Sequence, residues 1–328
     1  MPEELMRAAF VTAPGPATDI RVESIPRPEP GPTDVLVQVE AAAVNQVDTY
    51  VRSGRYPTPM PSPFVVGRDL VGSVAAAGAG SGFSVGEPVW CNSLGHAGRQ
   101  GSCAEYAVVP AERLYRLPPD VDPIATVAVL HPAATAALAL HRHAEVRAGQ
   151  TIFVGGAAGN IGAIAVQLAA EAGLRVIAGA RSDDHDRVRE LGADAVVDYR
   201  DPDLGEQVRA TSPDGVDVHW DTSGQTQLTD AIRLVATRGR ILLTAGRRPH
   251  ENVDLWPLYT RDVQLRGFVI SLASVSELTD AAATINRRLA GPGLAVRVAH
   301  ELPLADTARG HDLVEAGARG RVVIRPDR

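Results

Sequence analysis

The sequence of 328 residues contains no lysine, so arginine provides all 32 of its Lys/Arg side chains. Lysine therefore cannot serve here as a Schiff base, a proton donor or a phosphate clamp. The chain has only two cysteines, Cys91 and Cys103, which are too few for a disulfide framework and match no common zinc spacing. A net charge of −7 argues against binding to nucleic acids or anionic membranes and favours a small-molecule partner.

The N-terminus lacks the long apolar run of a secretory signal or membrane anchor and carries the acids Glu3 and Glu4. We therefore expect a cytoplasmic protein that has no contact with a membrane. Its 45% hydrophobic and 22% charged residues are typical of a soluble globular chain. At about 100 to 200 residues per domain, the length predicts two domains.

The composition of the sequence and the secondary structure that it predicts change near residue 125. Residues 1–124 are rich in proline and glycine and contain short apolar or alternating runs, which predict strands. Strands and helices then alternate, which predicts a doubly wound parallel sheet over residues 125–270. Its six strands are TIFVGG, RVIAGA, AVVDY, VDVHWDTSG, RILLTAG and VQLRGFVI. The last strands of residues 271–328 are expected to return to the first domain, and the fold class is α/β.

A dinucleotide-binding loop is predicted by TIFVGGAAGNIGAIAVQLAAEAGLRVIAGA, a buried strand, a tight turn, a helix and a second strand. Ala157, Gly159 and Gly162 take the three small-residue positions of the fingerprint, with alanine replacing the first glycine. The helix that begins near Asn160 and Ile161 would direct its unpaired N–H groups at a diphosphate. Small-residue turns that serve packing alone are the competing interpretation.

The end of the second strand predicts the type of cofactor. Ala180 stands where an acid would accept from the ribose hydroxyls, and Arg181 and Ser182 follow it. Because this pair suits a 2′-phosphate, we predict NADPH rather than NADH. Asp183 and Asp184 could instead repel that phosphate or bind ribose, or they could complement the dipole of a helix capped by Ser182.

Taken together, the motifs resemble those of the medium-chain dehydrogenase/reductase superfamily, and within it the zinc-independent quinone oxidoreductases related to zeta-crystallin. The resemblance covers nearly the whole chain. The stretches that carry it are AAAVNQVDTYVRSGRYP, PFVVGRDLVGSV, GSCAEYAVVPAERLYRLP, GAAGNIGAIAVQLA, ELGADAVVDYR and GRVVIRP. It implies a mostly β, GroES-like substrate domain (1–124 and 271–328), a Rossmann domain (125–270) and an active site in the cleft between them. It also implies homodimers that pair through an edge strand, for which VQLRGFVI is the candidate.

The sequence departs from the zinc-dependent branch of that superfamily. That branch has a cysteine within the segment that reads AVNQVD here, and a Gly-His-Glu where this chain has Gly67, Arg68 and Asp69. It also has a four-cysteine lobe, so we predict that neither zinc site forms. His131, His141 and His143 do not suggest another metal site, because helix positions two apart point about 200° from each other. We expect surface histidines at a helix end, with His131 able to reach the cleft.

The resemblance also implies the residues of the active site. Asn45, Tyr50 and Tyr56 would line the substrate pocket, where an amide and two phenols could polarise a carbonyl or deliver a proton. The competing interpretations are a turn residue for Asn45 and half-buried rings for the tyrosines. Asp48 is expected to be local scaffolding. The other residues expected to contact the cofactor are Thr135, Tyr199, Gly246 and Arg321.

The predicted reaction is hydride transfer from NADPH to a quinone or an α,β-unsaturated carbonyl. An enoyl reductase or a biosynthetic tailoring reductase of the same fold is the alternative within this chemistry. A non-catalytic NADPH-binding protein is the alternative outside it. No basic stripe or aromatic platform supports a nucleic-acid partner.

Overall fold

The computed structural model of the protein describes residues 4–245 and 252–327. The chain divides into two compact units, Met1–His131 with Leu278–Arg328, and Pro132–Glu277. The domain limits expected from the sequence, at 124/125 and 270/271, stay a prediction.

The strands of the described residues are β1 (Leu5–Val11), β2 (Arg21–Pro26), β3 (Asp34–Val44), β4 (Phe64–Val65), β5 (Asp69–Ala77), β6 (Pro88–Cys91), β7 (Tyr106–Pro110), β8 (Tyr115–Arg116), β9 (Thr151–Gly155), β10 (Arg175–Ala180), β11 (Ala195–Asp198), β12 (Val216–Asp221), β13 (Val235–Leu243), β14 (Gln264–Gly267), β15 (Val298–Pro303) and β16 (Arg321–Arg325). The helices are α1 (Gln46–Arg52), α2 (Pro123–Ala137), α3 (Asn160–Glu171), α4 (His185–Glu190), α5 (Leu204–Thr211), α6 (Leu228–Leu234), α7 (Trp256–Thr260), α8 (Val275–Leu289) and α9 (Thr307–Glu315).

The first unit is mostly β. Strands β2, β1 and β4 form a small antiparallel sheet, and a larger sheet has the order β15-β16-β3-β5-β6-β8, with β7 also paired to β3. In β3 the exposed Gln38 and Glu40 alternate with buried apolar residues, so one face of the strand packs on the core. The final strand pairs with β3 in antiparallel register, Val322 opposite Val44. The predicted return of the last strands to the first domain is confirmed.

The second unit contains the predicted doubly wound sheet. Its six strands run in the order β11-β10-β9-β12-β13-β14, and every neighbouring pair is parallel. The strands near its centre are almost wholly apolar because helices cover both faces of such a sheet. The order reverses between β9 and β12, and in doubly wound sheets ligands bind at the carboxyl ends of the strands beside that reversal. This confirms the predicted Rossmann architecture.

Within residues 4–245 and 252–327, one helical segment, Pro123–His143, is long and apolar enough to span a membrane by length and composition alone. Within the structure, 83% of its most apolar window is buried. Buried core helices of globular proteins have the same composition, so the segment gives no support to a membrane span.

Candidate cofactor and substrate sites

The loop after β9 requires small residues for steric reasons. Gly156 has φ +70°, a conformation that favours glycine. A Cβ added to Gly162 would overlap the carbonyl oxygen of Gly156 and lie 2.8 Å from the Cα of Ala157. The N–H of Ala157 donates to Gly179 O at 3.0 Å, which ties the loop to β10. Helix α3 therefore packs against the turn at backbone distance, as a dinucleotide loop demands.

The N-terminus of α3 offers hydrogen-bond donors. Gly159 is the N-cap and contributes no side-chain hydrogen bond, and no acid occupies the first turn. The N–H groups of Asn160, Ile161 and Gly162 have no acceptor within the helix, because the first turn of any α-helix leaves them without one. These donors and the helix dipole fit an anionic diphosphate, so the loop passes a test of fit to a dinucleotide.

A second set of polar groups, missed in the sequence, lies at the end of β12. The hydroxyl of Thr222 donates to Gly155 O at 2.8 Å, and Asp221 Oδ1 accepts from Ser223 N at 2.9 Å. Burial raises the pKa of Asp221, but hydrogen bonds from Ser223 and Thr226 outweigh it and hold that pKa below its ordinary value. The polar run DTSG that closes the apolar strand VDVHW was the available signal. These contacts position the glycine turn.

The predicted 2′-phosphate residues converge where β10 and β11 end. Asp198 accepts from Ser182 N at 3.3 Å and from Arg200 N at 2.9 Å, so it joins the two strand ends. The Arg181 guanidinium is 4.0 Å from Asp184, and the Arg200 guanidinium lies 5.7 Å from the centre of the half-exposed Tyr199 ring. Arg200 is an additional cation that the sequence analysis did not single out.

The helix cap predicted at Ser182 is wrong. Ser182–Asp184 form a 3₁₀ turn, and α4 begins only at His185. The hydroxyl of Ser182 therefore does not cap an α-helix.

The remaining cofactor candidates have different surroundings. Thr135 is buried in α2. Gly246 lies outside the described residues. Arg321 belongs to the first unit, where its Nη2 donates to Asn45 Oδ1 at 2.8 Å. Their contacts with a cofactor stay predictions.

In the first unit, a buried polar cluster surrounds Asn45. Its Nδ2 lies 3.0 Å from Asp69 Oδ2 and 3.3 Å from Asp48 Oδ2, and its N–H donates to Asp48 Oδ2 at 2.8 Å. Arg321 Nη2 is 3.7 Å from Asp69 Oδ2, and Arg68 Nε is 3.9 Å from Asp48 Oδ1. All five residues are almost fully buried. Two arginines therefore face two carboxylates across one amide.

The cluster shifts the titration of its members. Burial raises the pKa of Asp69 to about 7, although Arg321 opposes the shift. Burial also raises the pKa of Asp48 and lowers that of Arg321. Each group is thereby moved towards its neutral form, as expected when the paired charges only partly compensate the loss of water.

This geometry revises the role predicted for Asn45. Both hydrogens of its amide face carboxylates, and its oxygen accepts from Arg321, so the amide is not free to donate to a carbonyl in this structure. Asn45 instead fixes the start of α1, the helix that carries Tyr50. Asp48 is the scaffolding residue that the sequence suggested, since it accepts the Asn45 N–H.

The two candidate tyrosines lie on one turn. Tyr56 N donates to Tyr50 O at 2.9 Å, and both rings are half-buried. The Arg55 guanidinium lies 4.5 Å from the centre of the Tyr50 ring, and the Tyr56 ring stacks on His96 with centroids 5.7 Å apart. The structure thus brings Tyr50 and Tyr56 together, while their catalytic roles stay predictions.

His131 is buried, which corrects its expected surface position. Burial, helped by Arg68 and Arg321, lowers its pKa well below the ordinary value, so the imidazole is neutral at pH 7. His141 is exposed and His143 half-buried at the end of the helical segment.

Comparison with known proteins supports the same architecture. Residues 160–286 match the family model described as zinc-binding dehydrogenase, and residues 31–119 match the alcohol dehydrogenase GroES-like domain. The quinone oxidoreductase of Lama guanicoe is 29% identical over 328 residues, with 98% of each chain covered. A solved NAD-dependent alcohol dehydrogenase has a TM-score of 0.88 and 32% identity, with 98% of this chain and 99% of that one covered.

The chain belongs to the medium-chain dehydrogenase/reductase superfamily. A mycobacterial member of known structure, solved with NADPH, is 31% identical at a TM-score of 0.84, with 98% of this chain and 100% of that one covered. In this medium-chain dehydrogenase/reductase, residues 4–245 and 252–327 contain no group of three His, Cys, Asp or Glu side chains arranged to hold a metal. Where the zinc-dependent branch has Gly-His-Glu, this member buries Arg68 and Asp69. In the sequence, these two charged residues interrupt the apolar run FVVGRDLVG. Charged residues within a run that is otherwise expected to be buried were the available signal for the polar cluster around Asn45.

Proposed function

We propose that this protein is a zinc-independent, NADPH-dependent oxidoreductase that reduces a quinone or an α,β-unsaturated carbonyl. The observation that carries the proposal is the close packing of the glycine turn against the N-terminus of α3. No side chain caps this terminus, so its backbone N–H groups can donate to a dinucleotide diphosphate. The similarity to a quinone oxidoreductase and to a member solved with NADPH supports it.

The choice of NADPH rests on Arg181, Ser182 and Arg200 at the ends of β10 and β11. Ala180 occupies the position at which an acidic side chain would accept from the ribose hydroxyls. The guanidinium groups of Arg181 and Arg200 lie at the same strand ends and could bind a 2′-phosphate. Asp183 and Asp184 oppose this choice. One similar structure is an NAD-dependent alcohol dehydrogenase, so the two cofactors need a direct comparison.

The bound nicotinamide would supply the hydride and its electron pair. The acceptor would gain that hydride at carbon, or at oxygen in a quinone, and then a proton from a tyrosine or from water. We propose that the hydroxyls of Tyr50 and Tyr56 donate to the acceptor oxygen as negative charge develops there. Asn45, held by Asp69 and Arg321, keeps α1 and therefore Tyr50 in position.

Zinc independence follows in this proposal from the chemistry of the first unit. Arg68 is a permanent cation where zinc-dependent members have a histidine, and it would repel a second cation. The carboxylates near it already face the two arginines.

The test measures cofactor binding and turnover separately. NADPH and NADH are titrated by fluorescence, and NADPH oxidation is followed with a panel of quinones and enones, while elemental analysis measures zinc in the same sample. The proposal expects tight NADPH binding, turnover with part of the panel and less than about one zinc per ten chains. Binding without turnover would instead favour a non-catalytic NADPH-binding protein.

We further propose that the protein forms homodimers through β14. This strand is an edge of the six-stranded sheet, and edge strands present unpaired N–H and C=O groups to a partner. Exposed apolar side chains occur in the same unit, including Leu265 on the strand itself, Trp256 and Tyr259. A second copy would cover such residues by pairing its own β14, as the family resemblance implies.

A further inference from the structure

Three arginines of the first unit converge beside Tyr56 with few counter-charges. Leu94 N donates to Arg68 O at 3.3 Å, and Arg99 Nε donates to Ser93 O at 3.1 Å. These two bonds hold the side chain of Arg99 next to the Arg68 segment.

The third arginine, Arg113, is positioned by the pairing of β6 with β8. Trp90 lies opposite Tyr115 in the antiparallel pair of β6 and β8. Arg113 comes two residues before Tyr115, at the end of the 3₁₀ turn Ala111–Arg113, so it lies near the end of this strand pair at which β6 stops. Ser93, whose carbonyl oxygen accepts from the Arg99 guanidinium, follows the end of β6 by two residues. Arg99 and Arg113 therefore lie near the same end of this strand pair, close enough for the charge of Arg113 to lower the pKa of Arg99.

Acids compensate the charge of this cluster only in part. Arg68 already has a carboxylate nearby, Asp48 Oδ1 at 3.9 Å, so the less compensated charges are those of Arg99 and Arg113. Within the part of the chain that the structure describes, Arg99 has no carboxylate within ion-pair distance. Among the residues that the structure describes, the one carboxylate within ion-pair distance of Arg113 is that of its exposed neighbour Glu112, at 3.9 Å. In contrast, Arg116 on β8 lies 3.1 Å from Glu87. The side chain of Arg113 is 18% exposed, so a ligand can reach it.

The positive charge of these arginines also affects the neighbouring imidazole of His96. Burial, together with the charges of Arg68, Arg99 and Arg113, lowers the pKa of His96 to about 4. Burial also lowers the pKa of Arg99, and Arg113 and Arg68 add to that shift. Like charges gathered in a partly buried place destabilise a fold unless an anion joins them.

We propose that Arg99 and Arg113 bind an anionic oxygen group of the acceptor, a carboxylate or a phosphate, with buried Arg68 strengthening the local positive potential. His96, which stacks on Tyr56, joins this site to the tyrosine expected to contact the acceptor. The inference rests on the proposed function for the identity of the ligand as an acceptor. It narrows the substrate class to anionic enones or quinones, since guanidinium groups recognise carboxylates and phosphates by charge and by paired hydrogen bonds.

The first experiment measures binding without chemistry. The saturated keto acid 4-oxopentanoate and its methyl ester are titrated into the full-length protein. We expect the acid to bind at least about tenfold more tightly, because loss of a charge-assisted contact changes affinity by roughly that factor. Arg99→Gln and Arg113→Gln should each remove most of this preference. Arg116→Gln is the matched control, because Arg116 is already paired with Glu87, and it should retain the preference.

The second experiment measures turnover with matched pairs of acceptors. One pair is 4-oxopent-2-enoate and its methyl ester, and the other is crotonyl-coenzyme A and the crotonyl thioester of N-acetylcysteamine. A preference for 4-oxopent-2-enoate over its methyl ester identifies a carboxylate site. A preference for crotonyl-coenzyme A over the N-acetylcysteamine thioester identifies a phosphate site. The preference should weaken as sodium chloride rises from about 20 to about 300 mM, because salt screens exposed charges.

The outcomes separate the inference from the function on which it rests. Equal use of charged and neutral acceptors, or a preference that Arg99→Gln and Arg113→Gln both retain, overturns the anion site while the oxidoreductase stands. If the keto acid binds but no acceptor is reduced, the proposed function fails and the anion site remains.

Discussion

Replacing Gly162 by alanine tests the close packing of α3 on the nucleotide loop. Alanine within a helix is normally more stable than glycine by about 0.5–1 kcal/mol. Here the new Cβ would overlap the Gly156 carbonyl oxygen and approach the Ala157 Cα to 2.8 Å, and both atoms belong to backbone that must move. Overpacking of this kind costs about 1–3 kcal/mol.

Gly205 provides the matched control. It also lies in a helix, α5, but a Cβ there would meet only Leu234 Cδ2 at 3.8 Å, an ordinary contact. Gly205→Ala should therefore be neutral or slightly stabilising. Because both variants gain the same helix propensity, Gly162→Ala should be less stable than Gly205→Ala by about 1–3 kcal/mol.

The same displacement should weaken cofactor binding. The carbonyl of Gly156 and the donors of the first helical turn would shift together, and a misplaced donor loses much of its charge-assisted bond. We expect the Kd for NADPH to rise by at least about tenfold in Gly162→Ala and to stay within about twofold in Gly205→Ala. Urea unfolding and fluorescence titration measure the two effects. A Gly162→Ala protein as stable as Gly205→Ala, with unchanged NADPH affinity, would refute the reasoning.

Three further predictions concern the cofactor, acid stability and assembly. Arg181→Gln should raise the Kd for NADPH by about tenfold and leave that for NADH nearly unchanged, whereas Arg175→Gln, at the other end of β10, should alter neither. Burial lowers the pKa of His219 to about 4, so the unfolded chain binds the proton first as pH falls below about 6.5, and stability is lost between there and pH 4. From pH 7 to 5 that loss is about 2 kcal/mol, and urea titrations of His219→Leu should show a correspondingly shallower pH dependence. Leu265→Lys should dissociate the proposed dimer in sedimentation experiments because like charges would meet across paired β14 strands, while Leu5→Lys, an exposed leucine of β1, should not.

The sequence was informative where structure depends on neighbouring residues. Buried runs such as TIFVGG and RVIAGA, separated by helices, predicted the parallel sheet, because a strand covered on both faces has few polar positions. The small residues of the nucleotide turn were readable for the same reason, since the close approach of Gly162 to Gly156 lies within one short segment. The cap predicted at Ser182 was wrong because a 3₁₀ turn precedes α4, and local composition does not distinguish the two.

The polar arrangement of the first unit was decided by tertiary structure. Asn45 and Arg321 are 276 residues apart, and they meet only because β16 pairs with β3. Arg68, Arg99 and Arg113 likewise come together through a hydrogen bond within a loop and through the pairing of β6 with β8, which no local pattern encodes. By itself, then, the sequence determined the parallel sheet and the small-residue turn, since both depend on short-range burial and sterics. The tertiary structure decided which amide is already engaged and where positive charge gathers, because those properties depend on contacts between distant segments.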